Sequence, residues 1–306
     1  MAQRVRPTGT EFAHGPVDLR WLRREFIRAI AEDDYLHREL VLKGGNALDL
    51  VHGIGGRASL DLDYSMRGDA EDQELLSRRI LAALGTRLST HGLRLFDGKF
   101  QRRPSTDSEE RGPKWGGYTV EFKVIQEHKA KALLDEMNAM RREALSVTGH
   151  PQAERRFRVE LSTYEHCDPI EDVPLEGGYV CRVYTPELIA AEKLRSLCQQ
   201  MDEYPMRSHP TPRARDFYDL HAVITSRGVE LSEESMHELI EIVFAAKDVP
   251  TSLLGQLRTY RDFHEEDWPS VRDSIPADKV PDFDYYFAFV LSEIRKLEPL
   301  WYVDLP

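Results

Sequence analysis

The sequence predicts an α+β fold: a mixed α/β core over residues 1–184, followed by a helical domain over residues 185–306. Alternation of apolar and charged residues with period two recurs in the first part and marks strands with one buried face. After Thr185 the spacing turns helical and stays so. Composition agrees: 41% apolar and 31% charged residues are those of an ordinary globular protein, and 306 residues are enough for two parts sharing one core.

Residues 17–40 carry Leu19, Trp21, Leu22, Phe26, Ile27, Ile30 and Leu36 at close to helical spacing. The apolar run Leu40-Val41-Leu42 reads as a short strand ending at Lys43-Gly44-Gly45, and residues 46–51 resume a helical pattern. A glycine-rich loop over 52–57 precedes Leu60-Asp61-Leu62-Asp63-Tyr64, where apolar and acidic residues alternate. Residues 71–91 form an amphipathic helix by spacing. Strands are expected at 93–100 and 118–125, with the polar stretch 102–117 as a loop between them. A helix over 127–144 and strands at 157–161 and 178–183 complete the core. Thr185-Pro186-Glu187 opens the helical part with an N-cap residue, a proline at the first position and an acid in the first turn. Helices follow at 186–200, 213–226, 232–246, 250–262 and 280–298. No internal repeat or low-complexity tract interrupts them.

Several function classes are disfavoured at once. No apolar run approaches the roughly 20 residues that span a bilayer, and the basic N-terminus lacks the apolar stretch of a secretory signal. Cys167, Cys181 and Cys198 are odd in number and have no CxxC spacing, so a cytoplasmic location fits and a disulfide framework or zinc knuckle does not. The histidines form no HxxxH pair, Ser59 is not in a GxSxG elbow, and GxxxxGK[ST] is absent. A net charge of −12 opposes non-specific wrapping of nucleic acid. A local basic groove remains open to Arg102-Arg103, Arg141-Arg142 and Arg155-Arg156 with Arg158, pairs that otherwise read as solvated surface. Trp115, Tyr118 and Tyr164 are candidates for base stacking, against the plainer reading of core aromatics.

Residues 43–63 carry the chemistry. A glycine pair between strand and helix lets backbone approach a phosphate closely. Asp61 and Asp63 fall on one face of a strand, about 6.6 Å apart at ~3.3 Å per residue. Uncompensated, they repel by about 2–3 kcal/mol at an effective dielectric near 20. Divalent cations remove that repulsion, and a magnesium ion held by such a pair serves in-line phosphoryl or nucleotidyl transfer. A solvated acidic edge strand is the plainer alternative.

LKGGNALDL followed by RASLDLDYS resembles the signature of the AbiEii-type nucleotidyltransferase toxins, a family that includes the MenT-like enzymes within the DNA polymerase β-like superfamily. A second segment agrees: Ala191-Glu192-Lys193-Leu194-Arg195 and Arg213-Ala214-Arg215-Asp216-Phe217-Tyr218-Asp219-Leu220 resemble the family's EKL and RD-x-YDL motifs. The likeness spans roughly residues 20–225. It implies a polymerase β-like mixed-sheet core backed by helices, with Asp61 and Asp63 ligating Mg²⁺. Lys43, Gly44, Gly45, Asn46 and Ser59 would hold the triphosphate, Lys193 would neutralise it, and Asp216 would be a further catalytic carboxylate. Asp219, one turn on, would share the face of Asp216 and the nucleotide site. The implied reaction moves NMP from an NTP to RNA, at the tRNA 3′ end, in a chain encoded with a protein antitoxin.

The sequence departs from the family where a third carboxylate usually stands as Asp. Glu160 fits the alternation and is taken as the third metal donor, with Glu121 as competitor. Asn46 replaces the more frequent Thr or Ser and still donates hydrogen bonds. Other readings stay open: nucleotidyl transfer to a protein or small molecule, a nucleotide- or partner-binding module without turnover, and a helical interaction protein with an acidic surface.

Overall fold

A computed structural model of the chain describes residues 17–54, 61–104, 116–147, 154–206, 209–275 and 280–301. The expected helix over 17–40 is two: α1 (Leu19–Ala31) and α2 (Asp34–Glu39). Asp33 makes the break, because its carboxylate accepts from the Tyr35 and Leu36 amides and so starts a second helix. Then come β1 (Val41–Lys43), a single turn α3 (Gly44–Asn46), a π-helical turn over Ala47–His52, and β2 (Leu62–Ser65). Helix α4 (Gln73–Ser89), β3 (Leu93–Arg103) and β4 (Gly117–Gln126) follow, the strands running further into the expected loop than alternation indicated. The expected helix over 127–144 is α5 (Glu127–Ala132) and α6 (Met137–Glu143), parted where Leu134 and Asp135 take left-handed backbone, with φ of 52° and 58°.

After β5 (Phe157–Ser162) comes β6 (Ile170–Leu175), which the sequence reading did not assign. Pro174 lies within it, and β6 is an edge strand, where the missing N–H costs no ladder bond. Strand β7 (Tyr179–Tyr184) leads to α7 (Pro186–Cys198), whose N-terminus is capped by Thr185. The remainder is α8 (Ala214–Arg227), α9 (Glu234–Ala245), 3-10 turns over Thr251–Tyr260, α10 (Arg261–Glu265), α11 (Trp268–Asp273), α12 (Phe283–Ile294), a 3-10 turn over Arg295–Leu297, and α13 (Glu298–Trp301). The expected helix at 250–262 is therefore mostly 3-10, and α11 was not foreseen.

Among the described residues the strands form one mixed seven-stranded sheet, ordered β3-β4-β5-β2-β1-β7-β6. Pairs β2/β5 and β1/β7 are parallel and the rest antiparallel. One face is apolar: Leu62, Val159, Val120 and Phe122 are buried, and Phe26 of α1 meets the rings of Phe122 and Phe157 edge-on at 5.2 and 5.4 Å. Alternation then forces Asp63, Glu160 and Thr119 onto the opposite face. A single buried cluster reaches from Leu22 to Leu297 and joins the sheet to the helices behind it. All three cysteines are buried in it. No helix among the described residues is long and apolar enough to cross a membrane.

Candidate active site

Strand register assembles a polar row across the sheet. Lys43 of β1 stands opposite Asp63 of β2, Asp63 beside Glu160 of β5, and Glu160 opposite Thr119 of β4. Residues paired in register project to the same side, so two carboxylates adjoin and a lysine flanks them. Asp61 lies in the bend just before β2 rather than within the strand. Asn46 Nδ2 donates to the Asp61 backbone carbonyl at 2.5 Å and ties that bend to the turn after β1. Gly44 has φ of +69°, and a Cβ placed on it would come within 2.6 Å of Asp63 Oδ2. Both the backbone conformation and the close approach of the carboxylate demand glycine.

Asp63 and Glu160 are poorly compensated. Among the described residues neither Asp63 nor Glu160 has a hydrogen-bond or ion-pair partner. Burial, then the adjacent Glu160, push the Asp63 pKa up to about 7, against the opposing pull of Lys43 and Arg215. The same two causes raise Asp61. A set of hard carboxylate oxygens with surplus negative charge suits Mg²⁺ or a similar cation. As the side chains stand, no three ligand-type groups among the described residues are close enough to enclose an ion. Magnesium needs only one or two protein carboxylates when phosphates and water complete its shell.

The helical wall is different. Lys193 of α7 is buried and donates to Asp216 at 3.0 Å and Asp219 at 2.7 Å, both on α8. Arg213 bonds the other oxygen of Asp216. Burial works against the Asp216 charge, but Arg213 and Lys193 outweigh it and hold the carboxyl far below its ordinary range. The preceding residue, Glu192, points to another partner: it accepts from Lys43 Nζ at 2.5 Å. Lys43 also faces Glu165 at 3.6 Å, and Glu165 is held by Arg195 at 3.0 Å and Lys247 at 3.5 Å. Against its burial, those three cations lower the Glu165 pKa to about 2. Lys247 Nζ in turn donates to the Thr163 carbonyl at 2.6 Å.

One cleft of about 910 Å³ separates the walls. It gathers Lys43, Gly44, Gly45, Asp61, Asp63, Glu160, Lys193 and Asp216 from the sequence expectations. Asn46 and Asp219 are buried behind its lining, and Ser59 falls outside the described residues. Glu121 is not in the lining; it binds Arg156 at 2.8 Å and Arg158 at 3.1 Å. Five of the arginines expected to form a groove are thus engaged: besides Arg156, Arg158 also meets Glu154 at 2.5 Å, Arg141 meets Asp97 at 2.9 Å, Arg102 meets Asp69 at 3.0 Å, and Arg155 bonds the Ala144 carbonyl. Cations that do line the cleft include Arg23, Arg195, Arg213, Arg215 and Lys247. Tyr118 is buried against Phe100 and bonds Asp69, so it is a core aromatic, and Trp115 is outside the described residues. The sequence reading missed Glu165, Lys247 and Asp267. Glu192 and Arg195 flank Lys193 within its own motif, and that adjacency was the available signal.

The family described as nucleotidyl transferase AbiEii toxin, type IV TA system, matches residues 25–289. Two solved structures resemble the chain at 18% identity and a TM-score of 0.48. One is an H. pylori protein described as a nucleotidyltransferase, with 92% of this chain and 94% of that one covered. The other is MenT4, a nucleotidyltransferase toxin from Mycobacterium tuberculosis H37Rv, with 94% and 84% covered. No curated protein sequence matches it.

Proposed function

We propose, for a chain that belongs to the AbiEii family of nucleotidyl transferase toxins of type IV toxin–antitoxin systems, a magnesium-assisted transfer of NMP from an NTP to RNA, with the tRNA 3′ end as acceptor. The observation that carries this reading is the Asp63 carboxylate, pushed up by burial and by Glu160, lying with Asp61 across one cleft from the Lys193–Asp216 wall. Asp61 and Asp63 would hold Mg²⁺, with Glu160 as third carboxylate; the ion would supply charge neutralisation for the phosphates. Gly44 and Gly45 leave room for the triphosphate beside the acids. Lys193 and the cleft arginines stabilise the charge that moves toward the leaving pyrophosphate. In the step itself the acceptor hydroxyl oxygen bonds the α-phosphorus, the Pα–O–Pβ bond breaks, pyrophosphate takes the electron pair, and the hydroxyl proton passes to water. Growth arrest would follow from blocked tRNA, and a cognate antitoxin would restrain the enzyme in the cytoplasm.

A second acceptor class is favoured by one observation. Arg102, Arg141, Arg156 and Arg158 of the candidate groove pair with carboxylates and the chain carries −12 overall, which suits a protein or small-molecule acceptor better than a polyanion. Purified chain incubated with Mg²⁺, total tRNA and each α-labelled NTP in turn separates these. Label on tRNA that disappears in Asp61→Ala supports the RNA reading. Label on protein moves the acceptor to the second class, and no label from a well-folded wild type defeats the transferase assignment in favour of a binding module.

A further inference from the structure

Helix α8 starts at a residue that cannot cap it. Its N-cap is Arg213, whose side chain has donors and no acceptor, and no side-chain cap bond is made there. The first N–H groups of a helix have no intrahelical partner, and where they are buried something else must accept from them. The acceptors come from the C-terminal helices, which carry no recognised motif. Arg213 N–H donates to His264 Nδ1 at 3.2 Å, and Ala214 N–H donates to Asp267 Oδ1 at 2.8 Å.

Both acceptors suit the task. His264 is fully buried, and burial pushes its pKa down to about 4, so the ring is neutral and Nδ1 keeps its lone pair for the Arg213 amide. Asp267 sets a carboxylate at the positive end of the helix dipole and also lines the cleft. The turn they hold carries Arg213, Arg215 and Asp216, and a frayed first turn would displace all three.

We propose that His264 and Asp267 are positioning residues that clamp the first turn of α8 in trans and thereby keep Arg213, Arg215 and Asp216 facing Asp61 and Asp63. Residues 261–273 then belong to the transfer machinery rather than to a helical annex. The activity part of this proposal rests on the transferase reading; the clamp itself does not.

His264 also packs on Phe217 at 5.2 Å between ring centroids, so its removal would leave a hole as well as an uncapped amide. Asp267 is the cleaner probe. In the full chain, Asp267→Ala should speed hydrogen exchange of the 214–216 amides while α7 and α9 keep wild-type protection. Turnover per folded molecule should fall about fivefold, because a frayed first turn displaces Arg213, Arg215 and Asp216 from the cleft. Asp267→Asn keeps an acceptor oxygen and should recover most of both, which a role in general stability or in charge alone would not produce. Wild-type exchange and turnover in Asp267→Ala overturn the clamp, as does an Asp267→Asn variant as impaired as the alanine. Should wild type label nothing from any NTP, the transferase reading falls, and hydrogen exchange alone still decides the clamp.

Discussion

On the sheet wall of the cleft Asp63 and Glu160 adjoin without ion-pair partners among the described residues, whereas on the helical wall Asp216 is gripped by Lys193 at 3.0 Å and by Arg213. The pKa directions differ accordingly. Asp63 is pushed up to about 7 by burial and its neighbour; Asp216 and Glu165 are held low by cations that outweigh their burial. The contrast teaches where function lies in a charged cleft. A balanced wall is a frame as well as a lining, since removing one member weakens the hold on the others. An unbalanced wall is poised for something the chain does not itself supply, and two adjacent carboxylates ask for a cation.

The sharpest way to break the comparison is to empty the acidic wall. Asp61→Ala or Asp63→Asn should cut nucleotidyl transfer at least about 10³-fold, the several kcal/mol of charge stabilisation a held cation supplies, and should leave the melting temperature equal or higher. A large drop in melting temperature would show the acids to be structural. Lys193→Met tests the opposite wall: it takes the ammonium away from Asp216 and Asp219, so a stability loss of about 3 kcal/mol is expected in urea unfolding. A variant as stable as wild type would mean the wall is not a frame. Gly44→Ala joins the two effects, because the added methyl meets the Asp63 carboxylate in left-handed backbone. It should cost about 1–3 kcal/mol of stability and most of the activity.

Titration sharpens the difference without mutation. Asp63 binds its proton more tightly folded than unfolded, so in chelator its contribution favours the fold below about pH 4 and is lost as pH rises through about 7. Glu165 has the opposite sign: its contribution is present above the ordinary carboxylate range and is lost as pH falls toward about 2. Melting curves of wild type and Asp63→Asn should therefore diverge on going from pH 5 to pH 8 in EDTA, with wild type losing ground, and Mg²⁺ should close the gap. Parallel curves would sink the assignment. The smallest effect is expected from Arg141→Ala, an exposed partner of Asp97, with a melting temperature close to wild type and transfer unchanged.

The acidic pair and the Glu192-Lys193 dipeptide were readable in the sequence because each is compact, and local spacing sets which way a side chain faces. Adjacent helix residues point about 100° apart, which lets Glu192 bind Lys43 of β1 while Lys193 binds α8. Glu165 and Lys247 were invisible for the converse reason: Lys247 meets the Thr163 carbonyl across a sequence separation of 84 residues, a pairing only the assembled core creates. Strand β6 was missed because Glu171-Asp172 breaks its apolar pattern and Pro174 argues against a strand unless its place at the sheet edge is already known. The basic groove was overestimated because arginines were read without the carboxylates that fold onto them, as Glu121 does onto Arg156 and Arg158.

The burial of every cysteine has a practical side. Alkylating agents and oxidants act on thiolates, yet burial pushes Cys167 up to about 11 and Cys181 up to about 12, and raises Cys198 as well. The native chain should therefore take up no maleimide dye and melt alike with and without reductant. One cysteine introduced at an exposed position, such as Ser226→Cys on the last turn of α8, would be a lone reactive handle. It would allow a fluorophore or spin label to be placed on α8 with no background to subtract.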